Sequence, residues 1–103
     1  MPLFLSIMQH SPESCPYNNE KIKKLSLAFF SEQEQLLKKN RIKVIGAWHS
    51  AKDHTVAMVY EAEKVEDMQK FMMEPEVLNF MAYQTGHTRL VTNMEEAVKL
   101  YLK

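Results

Sequence analysis

The stretch RIKVIGAWHSAKDHTVAMVYE, residues 41–61, holds two runs rich in β-branched and aromatic residues on either side of a short polar segment. The runs are residues 41–49 and 54–61, and residues 50–53 separate them. β-Branched and aromatic side chains favour strands, and a polar segment of this length suits a hairpin loop. The stretch therefore predicts strands two and three as an antiparallel hairpin. A four-residue loop would pair His49 with His54 across it, whereas a slip of one residue would separate them.

Two further strands are expected, one on each side of this hairpin in the sequence. Residues 3–9, LFLSIMQ, alternate with a period of two, and residues 87–92 do the same after Gly86. The first strand stops at His10, because two prolines within residues 11–16 restrict the backbone and favour a loop.

Helical spacing fills the segments between the strands. Apolar residues recur at helical intervals from residue 19 to about 40, and a capping-box pattern at residues 31–34 predicts a kink and a second helical piece there. Residues 65–73 form another helix, which Pro75 interrupts before a further short helix begins. A capping box at residues 93–96 starts an amphipathic C-terminal helix.

The predicted order is strand, helix, strand, strand, helix, strand, helix. It corresponds to one α+β domain over residues 1–103, a ferredoxin-like βαββαβ unit with an extra C-terminal helix and a four-stranded antiparallel sheet. The helices cover one face of the sheet, so the other face needs a partner to hide its apolar side chains. We expect a homodimer, unless the C-terminal helix folds over part of that face.

Residues 44–49, VIGAWH, run through the hairpin into residues 56–62, VAMVYEA. With these residues, the element order and the chain length, the sequence resembles small proteins of the dimeric α/β-barrel superfamily along nearly its whole length. The loop H-x-P-E-x-C-P at residues 10–16 is similar to that of small uncharacterised members. The superfamily includes cofactor-independent monooxygenases, isomerases and haem enzymes, so the resemblance implies a fold and a dimer but no particular reaction.

Composition narrows the classes of partner. The 103 residues include 13 basic and 13 acidic side chains, a formal net charge of zero, which predicts neither a nucleic-acid nor a membrane partner. Cys15 is the one cysteine, so an intrachain disulfide is excluded and a reducing, cytoplasmic location is expected. Gly-rich phosphate loops, G-x-S-x-G and H-E-x-x-H are absent from the sequence, which removes the most familiar enzyme classes.

Strand polarity predicts that every histidine lies at one edge of the sheet. His10 ends the first strand, His49 ends the second, His54 opens the third and His87 opens the fourth, while Cys15 follows in the adjoining loop. Imidazole and thiolate are the usual ligands of divalent transition metals such as Zn²⁺. The edge is therefore a candidate metal site, although strand ends also collect polar residues without any ligand.

Whether these side chains lie on the covered or the uncovered face depends on which side of the sheet the helices pack against. Leu3, Leu5, Ile7 and Leu90 suit the helix-packed side, so the set containing Phe4, Ser6, Met8 and His10 is predicted on the uncovered face. The set of His87, Arg89 and Val91 is predicted on that same uncovered face.

Four other residues are candidates for contact with a small organic ligand. Glu13 is the carboxylate nearest to His10 in the sequence and would orient it, or it is simply a solvated loop residue. Trp48 and Tyr60 would stack on a flat ligand or fill the core. Arg89 would bind a carboxylate, from Glu61 or from a ligand, or form an ion pair across a dimer.

Three functions fit this sequence. The first is a dimeric protein that binds a small organic molecule or a metal ion at the histidine-bearing edge. The second is a structural or regulatory homodimer without a ligand. The third is a cofactor-independent monooxygenase or isomerase in which a histidine acts as a base in an apolar cavity. The sequence leaves open whether the protein is an enzyme.

Overall fold

Four antiparallel strands form a single sheet in the computed structural model, which describes residues 1–102. The strands are β1 (Leu3–Gln9), β2 (Ile42–Ser50), β3 (Thr55–Ala62) and β4 (Thr85–Val91). Their order in the sheet is β2-β3-β1-β4, so the first strand in sequence is a central strand. The predicted α+β architecture and strand polarity are confirmed.

Four helices accompany the sheet: α1 (Glu20–Lys39), α2 (Val65–Met72), α3 (Pro75–Ala82) and α4 (Met94–Tyr101). A single 3₁₀ turn (Pro12–Ser14) follows β1. The Asn19 side chain caps α1, and Asn93 caps α4 by accepting a hydrogen bond from the Glu96 amide, as the second capping box predicts. No helix within residues 1–102 combines the length and the apolar character needed to cross a membrane.

The predicted kink near residues 31–34 is wrong, because α1 runs through them as one 20-residue helix. The Ser31 hydroxyl donates to the Ala28 carbonyl at 3.0 Å instead of capping a new helix. A serine can make this backward bond inside a helix, so the capping-box pattern alone does not define a helix start.

The pleat of β1 puts Phe4, Ser6 and Met8 on the face that the helices cover, where all three are buried. Leu3, Leu5 and Ile7 lie on the open face, and Ile7 is 38% exposed. The predicted assignment of the two faces is therefore reversed for β1. Both sets are largely apolar, so alternation defines two faces without telling which one the helices cover.

The core lies between this face of β1 and β3 and the helices α1, α2 and α3. Phe29 of α1 stacks on Phe80 of α3 with ring centroids 4.2 Å apart. The buried core residues are Phe4, Met8, Phe29, Leu36, Ile42, Met58, Tyr60, Ala62, Met68, Phe71, Val77 and Phe80. These contacts hold the three helices against the sheet, with the first half of α1 and the end of α3 lying beside the hairpin turn.

The hairpin loop lies one residue further along the chain than predicted, at residues 51–54. Ser50 pairs with Thr55 and His49 with Val56, so His54 belongs to the loop rather than to β3. Two hydrogen bonds fix the loop: the Ser50 hydroxyl donates to the Asp53 carboxylate at 3.1 Å, and the Thr55 hydroxyl donates to the Asp53 carbonyl at 3.0 Å. The prediction that His49 and His54 face each other across the loop is therefore wrong.

The open face of the sheet and α4 carry much exposed apolar surface. α4 has no buried residue, so it does not bury an apolar stripe against the sheet. Leu90, on the edge strand β4, is 61% exposed even though it pairs with Phe4 of the covered face. The large apolar residues that are exposed on the sheet, on α4 or just after it include Ile7, Trp48, Leu90, Met94, Val98, Leu100, Tyr101 and Leu102.

An ion pair ties the segment after α1 to the start of α2. Arg41 donates to the Asp67 Oδ1 atom at 2.8 Å, and Asp67 is buried. This hydrogen bond and the guanidinium charge lower the pKa of Asp67 below its ordinary value of 3.8, although burial opposes them. Because the carboxylate is favoured in the folded state, the pair stabilises the fold above pH 3.8 and is lost as the pH falls through the lower folded pKa.

We expect Asp67→Asn to unfold more easily near neutral pH and to lose less stability on acidification than the native protein. The measurement is urea unfolding at several pH values from about 5 downwards, where such a carboxylate takes up its proton. Glu63→Gln is the matched control, because Glu63 is exposed and lies 3.8 Å from the Arg41 Nε atom, a geometry of small energetic effect. An unchanged acid slope in Asp67→Asn would contradict this assignment.

Candidate functional site

A pocket of about 410 Å³ opens between the covered face of the β2–β3 hairpin, α1 and α3. Its volume is within the range of small-molecule sites, which begins at about 300 Å³. Apolar side chains from both layers form most of its wall: Leu27, Phe30, Val56, Met58 and Phe80. The alternation of β3 and the helical spacing of α1 thus direct one apolar surface from each layer toward the same space.

Polar groups gather at one end of this pocket. The hydroxyl groups of Ser26 and Tyr83 share a short hydrogen bond that links α1 to the end of α3. Gln84 donates to the Phe80 carbonyl at 2.8 Å, while its own Oε1 atom is buried without a partner. His10 completes this polar end.

His10 is buried, and within residues 1–102 neither ring nitrogen makes a hydrogen bond of good geometry, although the Gln84 side chain adjoins the ring. It continues the alternation of β1 by one residue, so its side chain enters the covered face, where only 8% of it is exposed. Its backbone amide donates to the His54 carbonyl at 3.0 Å, which ties the end of β1 to the hairpin loop. Burial, and then the nearby His54, lower the pKa of His10, and contact with the Gln84 side chain partly opposes this shift. The imidazole is therefore neutral at neutral pH.

His54 and Cys15 approach His10 from two different loops. His54 has a left-handed backbone (φ 52°), and its ring centroid lies 5.3 Å from that of His10. Its Nδ1 atom is buried without a partner. Cys15 is a buried free thiol at the end of the 3₁₀ turn that Pro12 opens. One ligand atom from each of the three residues lies within 4.8 Å of the others.

Tyr83 supplies a phenol group to the polar end of the pocket. Burial raises the pKa of Tyr83; its hydrogen bond with Ser26 opposes this shift and the nearby Cys15 reinforces it. Tyr83 therefore remains protonated at neutral pH. The polar end presents a neutral imidazole, a hydroxyl pair and an amide, a set that can donate or accept a hydrogen bond without placing a charge in the apolar pocket.

The other two histidines lie outside this cluster. His49 lines the pocket but is exposed, and its ring lies 6.1 Å from that of Tyr17. His87 pairs with Ile7, so it lies on the open face as predicted, whereas His10 lies on the covered face. The prediction that one face holds both His10 and His87 is wrong, because the sheet separates them.

The predicted ligand-contact residues are dispersed. Glu13 is an exposed loop residue. Trp48 lies over Gly46, where a Cβ would come within 2.3 Å of its ring, and it is 60% exposed at the rim of the pocket. Tyr60 is a core residue that does not line the pocket, and its hydroxyl donates at 3.1 Å to the sulfur of Met58, which does.

Arg89 lies on the open face opposite Leu5, and Glu61 lies opposite Leu3 on that face. Among residues 1–102 no ion pair joins Arg89 to Glu61. Arg89 is thus remote from the pocket, on the surface that the dimer hypothesis concerns.

Sequence reasoning missed Ser26, Tyr83 and Gln84. Ser26 carried a usable signal, since it is one turn from Ile22 and three residues from Phe29, on the buried stripe of α1. A hydroxyl on such a stripe needs a partner, which here is a residue 57 positions later. Tyr83 and Gln84 follow the last turn of α3, where spacing alone gives no direction for a side chain.

No protein-family model matches the sequence, and no curated protein sequence matches it. Solved structures do resemble its fold. A candidate antibiotic biosynthesis monooxygenase from Nitrosomonas europaea superposes with a TM-score of 0.62 at 10% identity, covering 91% of this chain and 99% of that one. A protein from Agrobacterium tumefaciens gives a TM-score of 0.56 at 12% identity, with 89% and 92% covered.

An uncharacterised NIPSNAP domain protein from Burkholderia xenovorans has the same arrangement, with a TM-score of 0.51, 10% identity and coverage of 89% and 95%. At these identities the likeness concerns the fold alone. The chain therefore has a ferredoxin-like fold, as the order of its elements predicts.

Proposed function

We propose that the protein is a homodimer that binds a small, mostly apolar organic molecule in the pocket between the hairpin, α1 and α3. The observation that supports this most is the buried His10 ring, whose two nitrogens lack partners at the polar end of an apolar pocket of about 410 Å³. An apolar wall with a few converging polar groups is typical of small-molecule sites.

The chemistry of the pocket favours a mostly apolar ligand with one hydroxyl or carbonyl group, and the exposed Lys23 is the charged residue of its wall. Leu27, Phe30 and Phe80 provide apolar and aromatic contact. The ligand's polar group would satisfy a His10 nitrogen, which otherwise costs about 1–3 kcal/mol as a buried unsatisfied group. A metal ion is the other occupant that this histidine-bearing end can accept.

Homodimerisation would cover the open face of the sheet. Ile7 is 38% exposed there, Leu3 and Leu5 lie on the same face, and α4 buries none of its residues. Exposed apolar surface of this kind often belongs to an interface. We also place the protein in the cytoplasm, because its one cysteine is a buried free thiol and suits a reducing compartment.

A structural dimer without any ligand is the first alternative, and a cofactor-independent oxygenase is the second. The name of the Nitrosomonas europaea protein favours the oxygenase, and so does a neutral buried imidazole that could accept a proton from an activated substrate. Oxygen consumption with a quinol, lost in His10→Ala, would identify the oxygenase.

We expect 2-naphthol, an aromatic bicycle with one hydroxyl, to bind with one molecule per chain in isothermal titration calorimetry. Ala47 lines the pocket, so Ala47→Phe should fill it and weaken binding by about 10-fold or more, or about 1.4 kcal/mol. Ala28→Phe is the matched control, because Ala28 is exposed on α1 and is not part of the pocket wall. Equal binding by both variants would count against the pocket, and a lack of binding by the native protein would favour the structural dimer.

The dimer is tested by analytical ultracentrifugation. We expect the native protein to sediment at about twice the 12.1 kDa chain mass, and Ile7→Lys to be monomeric because a charge would be buried in the interface. Leu78→Lys is the control, since Leu78 is 45% exposed on α3, away from the open face. A native monomer, or a dimer that tolerates Ile7→Lys but not Leu78→Lys, would overturn the proposed interface.

A further inference from the structure

The three side chains at the buried end of β1 form a compact donor set. His10, Cys15 and His54 each offer one ligand atom, and these atoms lie within 4.8 Å of one another. They come from three separate segments: the end of β1, the loop before α1 and the hairpin loop. We propose that His10, Cys15 and His54 bind a divalent transition-metal ion of the Zn²⁺ class.

Unsatisfied nitrogen atoms support this site. Both ring nitrogens of His10 and the Nδ1 atom of His54 are buried without a hydrogen-bond partner, and His10 is only 8% exposed. Buried polar side chains are nearly always hydrogen-bonded. The Gln84 side chain adjoins His10, and a metal ion would give the remaining imidazole nitrogens of this cluster a partner. A metal ion between the rings would accept a lone pair from each.

The donor atoms are close enough for one ion. Zn²⁺ bonds of about 2.0–2.1 Å to nitrogen and 2.3 Å to sulfur put the ligand atoms of a tetrahedral site about 3.3–3.6 Å apart. The observed limit of 4.8 Å therefore requires the three side chains to close by about 1 Å or less per atom, which side-chain torsions can supply. Two imidazoles and a thiolate suit Zn²⁺ better than the hard ions Mg²⁺ and Ca²⁺, which prefer oxygen.

The surrounding backbone holds these side chains in place. The His10 amide donates to the His54 carbonyl at 3.0 Å, so the two histidines keep a fixed spacing. His54 has a left-handed backbone, a conformation in which glycine is less strained than histidine. A histidine at a position that suits glycine is consistent with a role for the imidazole itself.

Three protein ligands leave one coordination position for water or for another ligand atom. His10 also lines the apolar pocket, so the ion would lie at the polar end of that pocket. The inference thus extends the proposed binding function, because it uses the same end of the same pocket. Binding would convert the Cys15 thiol to a thiolate and release its proton to solvent.

The test is a titration of the chelator-treated full chain with ZnCl₂ by calorimetry, and with CoCl₂ by absorption spectroscopy. We expect one ion per chain and a thiolate-to-cobalt charge-transfer band. Cys15→Ala should abolish that band. His54→Gly should weaken Zn²⁺ binding by about 100-fold or more, a larger loss of affinity than the removal of a residue that only hydrogen-bonds to a ligand usually causes.

His54→Gly also separates ligation from folding. Glycine relieves the left-handed backbone, so this variant should unfold at the same or a higher urea concentration than the native protein while losing the ion. His87→Ala is the matched control, because His87 is exposed on the opposite face of the sheet and should leave Zn²⁺ binding unchanged.

Two results would overturn the inference: no saturable Zn²⁺ binding by the native chain, or binding that survives both Cys15→Ala and His54→Gly. Titration of 2-naphthol into these same proteins distinguishes the two proposals. If the native chain binds 2-naphthol but not Zn²⁺, the metal site is rejected and the organic-ligand pocket stands. If it binds Zn²⁺ but not 2-naphthol, the pocket is rejected and the metal site stands.

Discussion

The pleat of β1 is the constraint on which the site depends. β1 is a central strand, paired with β3 on one side and β4 on the other, so its register is fixed from both directions. Phe4 and Met8 pack into the core, and the same alternation carries His10 into the buried layer. A slip of one residue would turn His10 to the open face and dismantle the polar end of the pocket.

Strand polarity could be predicted from the sequence, because the order of elements in a βαββαβ unit fixes which strand ends meet. That argument correctly brought His10, Cys15 and His54 to one edge. The covered face could not be predicted, since Leu3, Leu5 and Ile7 are as apolar as Phe4 and Met8. The packing of the helices decides which face is covered. Their large aromatic rings, such as Phe29 and Phe80, belong to the same core as Phe4 and Met8.

The hairpin shows a second limit of sequence reasoning. Polar residues 50–53 look like a loop, but the hydrogen bonds of Asp53 to Ser50 and Thr55 shift the turn by one residue. That shift removes His54 from β3 and gives it a left-handed backbone, which costs a non-glycine residue about 1–2 kcal/mol. The same shift lets its ring approach His10 and Cys15.

Such costs are large for a chain of this size. Domains are stable by only about 5–15 kcal/mol, and each buried unsatisfied polar group removes about 1–3 kcal/mol of that. An apolar residue at position 10 and a glycine at position 54 would avoid both costs without changing the sheet. In the proposed complex, a ligand that satisfies the histidine nitrogens would offset these costs, because binding to the folded state alone stabilises it by mass action. Ligand binding at this end of the pocket and the stability of the β1–hairpin junction would then rise together.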